Sequence, residues 1–223
     1  MKKDNISLVV GLIFAGLVTG CTVNPYSGEK QVGKVAYGAG IGAASGALIG
    51  MLTGDDSRER RNHALIGAGV GALAGGGAGY YMDVQETKLR QRLQVSGVSV
   101  TRVGDEIVLN MPGNITFDSG SASVKSNFYE VLNSVSLVLN EYPKSLVDVF
   151  GHTDSTGSAQ MNQQLSENRA ASVGQYFITQ GVMRKRIATK GFGENHPVTT
   201  NDTSAGRSTN RRVEIRISPL TST

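Results

Sequence analysis

Glycines spaced four apart constrain the N-terminal part of this chain more than any other feature. Gly38, Gly42, Gly46 and Gly50 form one ladder inside "VAYGAGIGAASGALIGML" (35–52). Gly67, Gly71, Gly75 and Gly79 form a second inside "ALIGAGVGALAGGGAGYYM" (64–82). Glycine costs about 1 kcal/mol against alanine inside a helix, so neither segment is expected to be a stable helix alone in water. A spacing of four lines the glycines up in one stripe, where a second backbone can come close. The sequence therefore predicts a hairpin of two helices over residues 35–82, with the charged "TGDDSRERRNH" at its tip. At ~1.5 Å per residue each helix would be about 27–29 Å long, close to the hydrocarbon thickness of a bilayer. A zipper inserted in a membrane or associating with itself fits this period better than a flexible Gly/Ala spacer. The spacing leaves open whether such a zipper spans a bilayer.

Before the ladders, Lys2 and Lys3 precede the apolar run "ISLVVGLIFAGLV", and "VTGC" follows. The positive start, the short apolar run and the small residues before Cys21 are those of a secretory signal peptide. The run is short of the roughly 20 residues a transmembrane helix needs. Cys21 is the only cysteine, so no intramolecular disulfide can form. Val18, Thr19, Gly20 and Cys21 resemble, position by position, the lipobox of bacterial lipoproteins. That resemblance implies cleavage after Gly20 and acylation of Cys21. Thr22, rather than Asp, implies delivery to the outer membrane. Residues 1–20 are thus expected to be a signal peptide and 21–34 a linker.

"MDVQETKLRQRLQV" continues as a polar helix, read as a stalk over 83–97, with Glu86 and Arg90 in the favourable i, i+4 order. From residue 98 the period changes to two. "VSVTR" and "EIVLNM" form a hairpin about "VGD". Ser121 and Ser123 stand as caps before a helical run of Val124, Phe128, Val131, Leu132, Val135 and Leu139 that ends at Pro143. "SLVDVFG" is a buried strand and "AQMNQQLSENRAASVGQYFITQ" a helix stopped by Gly181. "RIATKGFG" and "RRVEIRI" are further strands. The fold expected for 98–223 is α+β, helices on a small mixed sheet, large enough for its own core.

The stretch "GHTDSTGSAQMNQQLSENRA" (151–170) contains His152, Asp154 and Ser155, the residue types of a catalytic triad. They are near neighbours on one loop, and no Gly-x-Ser-x-Gly elbow holds the serine. A glycan hydrolase needs two carboxylates ~5–9.5 Å apart, and Asp154 has only Glu167 or the distant Asp118 to offer. The histidines His63, His152 and His196 are scattered and match no metal motif. The sequence reads as non-catalytic, with no metal or cofactor. A net charge of +4, no Lys/Arg block and no Trp argue against nucleic acid as a partner. Asp154 and Arg169 remain, one charge of each sign. They could grip the ammonium and carboxylate of a zwitterionic ligand, or Asp154 could cap the helix and pair internally with Arg169.

"FDSGSASV", "GHTDSTGS", "LSENRA", "KGFGENHPV" and "GRSTNRRVEI" stand in the order and spacing of the OmpA-like peptidoglycan-associating domain, which this region (roughly 105–219) resembles. With the lipobox and the "GYYMDVQETKL" junction, the chain resembles the glycine-zipper outer-membrane lipoproteins of the YiaD type. The resemblance implies a non-catalytic tether in which Asp154 and Arg169 hold the diaminopimelate of peptidoglycan stem peptides. Thr153, Asn162, Leu165 and Arg212 match positions lining the same pocket, and Asp118 matches a residue near it. Implied partners are peptidoglycan, a lipid bilayer reached through acylated Cys21, and a further copy of the chain through the zipper. The second expectation is an envelope assembly or stress factor whose zipper meets a membrane machine. Localisation is expected at the outer membrane with the domain in the periplasm, the alternative being an inner-membrane protein with a spanning zipper.

Overall fold

The computed structural model describes residues 21–23, 30–32, 57–67, 69–73 and 77–221. The apolar leader 1–20 and the first glycine ladder lie outside the described residues. The chain divides into two units, Met1–Lys34 and Val35–Thr223. In the first, β1 (Cys21–Val23) pairs antiparallel with β2 (Lys30–Val32), Cys21 opposite Val32, where the sequence reading had only a linker.

The second unit is built on a five-stranded mixed sheet. After helices α1 (Ser57–Gly67) and α2 (Gly77–Leu93) come β3 (Ser99–Val103) and β4 (Glu106–Pro112), then the single turn α3 (Gly113–Thr116). The long helix α4 (Tyr129–Glu141), the strand β5 (Ser145–His152) and the helix α5 (Ala159–Thr179) follow. The chain ends with β6 (Ile187–Gly191), α6 (Ser204–Asn210) and β7 (Arg212–Pro219). The strand order is β3-β4-β7-β5-β6, with β5 and β6 parallel and the other pairs antiparallel. The α+β fold expected from period-two strands and period-3.6 helices is the one observed.

Alternation assigns the two faces. Ile107, Leu109 and Met111 of β4, Val147 and Val149 of β5, and Val213, Ile215 and Ile217 of β7 share one core. Leu132, Val135 and Leu139 of α4 and Val173 and Phe177 of α5 fill it from the helical side. Each fully buried aliphatic side chain contributes about 1.5–3 kcal/mol, so this layer carries most of the fold's stability. Arg186 is buried and fixes α4 to β5: its guanidinium donates to the carbonyls of Leu139, Tyr142 and Ser145 at 2.7–3.0 Å. It thus satisfies carbonyls that α4 leaves open at its C-terminus.

Four differences from the sequence reading have physical causes. The charged segment expected at the hairpin tip is helical from Ser57, and α1 covers the end of the sheet face opposite the core. There Arg58 donates to Asp148 (2.7 Å) and Glu106 (2.9 Å), and Arg61 donates to Asp148 (2.6 Å). Leu65 packs with Leu146 and Leu220 beside them. Asp148 is buried in mid-strand, and a buried carboxylate is tolerated only when paired and hydrogen-bonded.

The second ladder, expected to be one helix over 64–82, breaks between α1 and α2. Gly69 (φ +85°) and Gly71 (φ +75°) take left-handed conformations open to glycine, and Leu73 N–H donates to the Leu220 carbonyl at 2.8 Å. The polar "stalk" is not free of the domain, because Met82, Leu89 and Leu93 of α2 enter the main core. The expected Glu86–Arg90 pair is present at 2.9 Å. Finally, Ser121 and Ser123 do not cap a helix. Ser121 Oγ accepts from Ser123 N–H in a local turn, and the helical run begins at Ser126. Among the described residues no helix is long and apolar enough to cross a membrane.

Candidate functional site

The stretch that holds Asp154 and Arg169 lies where β5 leaves the sheet and α5 begins. Ser158 caps α5 by accepting from Met161 N–H, so Asp154 is not the helix cap. The approach of α5 to the sheet is very close here. A Cβ added at Gly151 would lie 2.0 Å from the Ser166 carbonyl oxygen, and one at Gly191 would lie 2.4 Å from Glu167 N. Both strand ends therefore need glycine if the helix is to pass at this distance.

The loop after β5 is pinned on several sides. Thr153 N–H donates to the Gly193 carbonyl at 2.9 Å, tying it to the loop after β6. Asn162 Nδ2, buried on α5, donates to the carbonyls of Asp154 and Thr156 (3.2 Å each) and to Glu194 Oε2 (2.6 Å). Asn162 thus holds the loop's shape. Thr153 Oγ1 is buried and has no hydrogen-bond partner.

Asp154 is itself buried. Its Oδ1 accepts from Thr156 N–H at 2.9 Å, and its Oδ2 accepts from Arg211 Nη1 at 2.5 Å. Burial pushes its pKa up, but the Arg211 guanidinium and the Thr156 hydrogen bonds outweigh burial and hold it below the ordinary carboxylate value. Arg169, 4% exposed, donates from Nε to the Ser121 carbonyl at 2.9 Å and lies over the Phe117 ring, 5.1 Å from its centroid. Among the described residues no carboxylate forms an ion pair with Arg169. Burial lowers its pKa, the charge of Arg211 lowers it further, and Asp154 opposes them. The internal Asp154–Arg169 salt bridge allowed by the sequence is therefore not made, and Arg211 takes that place.

The remaining sequence candidates divide. Thr153 and Asn162 stand with Asp154, while Leu165 is half-buried on α5 between Asn162 and Arg169. Arg212 is turned to other partners: Glu214 at 3.6 Å and the His196 carbonyl at 3.4–3.5 Å. It is buried on the central strand of the sheet, β7, which lies between β4 and β5. Asp118 is at the surface, 3.6 Å from Lys125 Nζ. His152 stacks on Phe192 at 5.4 Å, and burial, then the charge of Arg212, brings its pKa down to about 3. Ser155 is exposed.

The sequence reading missed Arg211, Phe117, the Ser121 carbonyl and Glu194. A signal for Arg211 existed. Adjacent residues entering a strand point to opposite faces, so Arg211 and Arg212 could not both serve the same surroundings.

The chain matches the OmpA family over residues 116–211 and the YMGG-like Gly-zipper over residues 1–83. It is 52% identical over 219 residues to the probable lipoprotein YiaD of Escherichia coli (strain K12), covering 98% of this chain and 100% of that one. It is 43% identical over 103 residues to the peptidoglycan-binding protein ArfA of Mycobacterium tuberculosis, 46% of this chain and 32% of that protein. Among solved structures, the cell wall anchor of the T6SS from Pseudomonas aeruginosa is similar at 30% identity and a TM-score of 0.55. That match covers 60% of this chain and 96% of that one. One family match falls on the glycine ladders, the other on the block that carries Asp154 and Arg169, and a relative matches from end to end; the chain belongs to the OmpA-like glycine-zipper lipoproteins of the YiaD type.

Proposed function

We propose that this protein is a non-catalytic tether between the outer membrane and peptidoglycan, and that its site holds diaminopimelate in stem peptides. The observation that carries the reading is Arg169: a buried guanidinium with no carboxylate paired to it among the described residues, near a buried carboxylate, Asp154. A buried cation left in this state is short of an anion. The distal carboxylate of diaminopimelate would meet Arg169 in a fork geometry, and its ammonium would meet Asp154. Thr153 Oγ1, buried without a partner, is available to the same ligand. Asn162 acts through the loop it pins, and Leu165 gives the site an apolar side. Arg212 and Asp118 belong to the surroundings of the pocket rather than to its charged contacts. The name of ArfA, a peptidoglycan-binding protein, and the cell wall anchor title support a wall-binding role.

The remainder of the chain supplies the other end of the tether. Residues 1–20 are removed as a signal peptide, and acylated Cys21 anchors the mature chain in the outer membrane with its domain in the periplasm. Each acyl methylene buried adds ~0.8 kcal/mol, and two or more chains make the anchor stable. The zipper over 35–82 has its own observation. A Cβ at Gly79, the ladder glycine within α2, would meet no atom within 4 Å, so Gly79 is not used for close packing among the described residues. That favours a second reading, in which the zipper meets another copy or a membrane machine while the wall domain positions it.

Pull-down on purified sacculi tests the site. Asp154→Ala and Arg169→Ala are each expected to reduce the bound fraction by tenfold or more, about the value of one charge-assisted contact. Binding equal to the parent's would overturn the assignment.

A further inference from the structure

We infer that Arg211 is the resident counter-ion of the ammonium position at Asp154, and that ligand binding is an exchange in which the incoming ammonium displaces it. The inference rests on the diaminopimelate reading above and adds to it a residue that sets affinity and selectivity.

Three features carry it. The first is an asymmetry of burial across the pair: the Arg211 side chain is 38% exposed and the Asp154 side chain 8%. The carboxylate is fixed in the protein, while the guanidinium reaches it from the solvent side. Arg211 can swing into water without becoming a buried, unpaired charge, which is the costly state for an arginine. Asp154 cannot.

The second is the manner of attachment. A single nitrogen, Nη1, contacts a single oxygen, Oδ2, in place of the two-pronged geometry that makes arginine–carboxylate pairs strong. Arg211 lies at the joint between α6 and β7, with its own backbone N–H donating to the Arg207 carbonyl at 3.0 Å, so the backbone is held independently of the side chain. Asp154 is likewise held without Arg211, since Oδ1 is fixed by Thr156 N–H at 2.9 Å. Departure of the guanidinium would leave a carboxylate already oriented for the next cation.

The third is charge. An ammonium replacing a guanidinium at Asp154 changes the local charge by nothing, so the buried carboxylate is paired both before and after the exchange. Arg211 also opposes Arg169, the other charged contact of the site. A zwitterion pairs both charges at once, its ammonium taking the place of Arg211 at Asp154 and its carboxylate pairing the Arg169 charge that Arg211 had disfavoured. A ligand with the carboxylate alone leaves Arg211 in place.

Calorimetry on the mature full-length chain in detergent tests the exchange with two probes. One is the tripeptide L-Ala–γ-D-Glu–meso-diaminopimelate, and the other is the same tripeptide N-acetylated on the diaminopimelyl side-chain amine. Arg211→Ala removes the competitor and is expected to tighten the first peptide roughly two- to fivefold, the scale of a half-exposed ion pair. The acetylated peptide should not gain, and Arg211→Lys should fall between parent and Arg211→Ala. Carboxyl NMR supplies a readout independent of affinity. The Asp154 titration should move up in Arg211→Ala and return downward when the first peptide saturates the site. A parent chain that binds neither peptide would overturn the diaminopimelate reading and the exchange with it. A parent that binds, together with an Arg211→Ala protein that loses affinity for both peptides alike, would overturn the exchange alone and make Arg211 a ligand contact.

Discussion

His152 shows how a residue with catalytic chemistry can be bound into structure. It closes β5 directly before the site, stacked on Phe192 and facing Arg212 in the register of β5 and β7. Burial and the arginine charge keep it neutral, with a pKa of about 3 against the ordinary 6.5. The folded state therefore resists a proton that the unfolded chain accepts. The neutral imidazole's contribution to stability is complete above about pH 6.5 and is lost as pH falls towards 3, at up to about 1.4 kcal/mol per pH unit. Between pH 6 and pH 4, His152→Leu protein should lose roughly 2 kcal/mol less unfolding free energy than the parent in urea titrations. Parallel losses would show that His152 takes up its proton in the folded state. Gly151, its neighbour, makes a steric prediction. With a Cβ 2.0 Å from the Ser166 carbonyl oxygen, Gly151→Ala must push α5 from the sheet. A loss of about 1–3 kcal/mol or more is expected in the same titration, with weaker sacculus binding because Asn162 and Arg169 ride on that helix.

At the scale of elements, α1 is the least expected part of the fold. Its two arginines satisfy a carboxylate buried in the middle of a sheet strand. Arg58→Ala combined with Arg61→Ala would leave Asp148 buried without either cation, and a loss of about 3–5 kcal/mol follows, measured by urea unfolding of the mature chain. A loss under 1 kcal/mol would mean that α1 leaves the sheet in solution. The same comparison shows what the sequence made legible. Alternating apolar residues identified β4, β5 and β7, and the helical period with Gly181 at its end identified α5 nearly to its last residue. The charged run 53–63 stands in the sequence as the tip of a hairpin, and nothing in its own composition places it on a sheet. The counter-signal was Asp148, a carboxylate inside an apolar strand that requires cations from somewhere. α2 reads as a polar stalk from its own composition. Yet Ala78, Met82, Leu89 and Leu93 are buried at helical spacing, and Gln85 and Glu86 are buried with them. α6 carries almost no apolar residue and gave no period to read. Alternation separates Arg211 from Arg212, but which of them meets Asp154 depends on the pairing of β5 with β7, segments far apart in the chain.

Over the whole molecule, position is what would make a weak site effective. In the proposed tether, a domain held to one membrane and facing a lattice of repeated stem peptides would meet its ligand at high effective concentration, so modest single-site affinity would suffice. Because both proposed ligand contacts, at Asp154 and Arg169, are ionic, raising ionic strength should weaken binding to sacculi. The most direct measurement of the central claim compares two kinds of wall with the same mature protein. In sacculi with meso-diaminopimelate at the third stem position, the distal carboxylate that Arg169 lacks is present. In sacculi with lysine there, the ammonium remains and that carboxylate is gone. Strong retention is expected on the first, at least tenfold less on the second, and no difference between them for Arg169→Ala protein. Equal retention of the parent protein on both walls would contradict the claim.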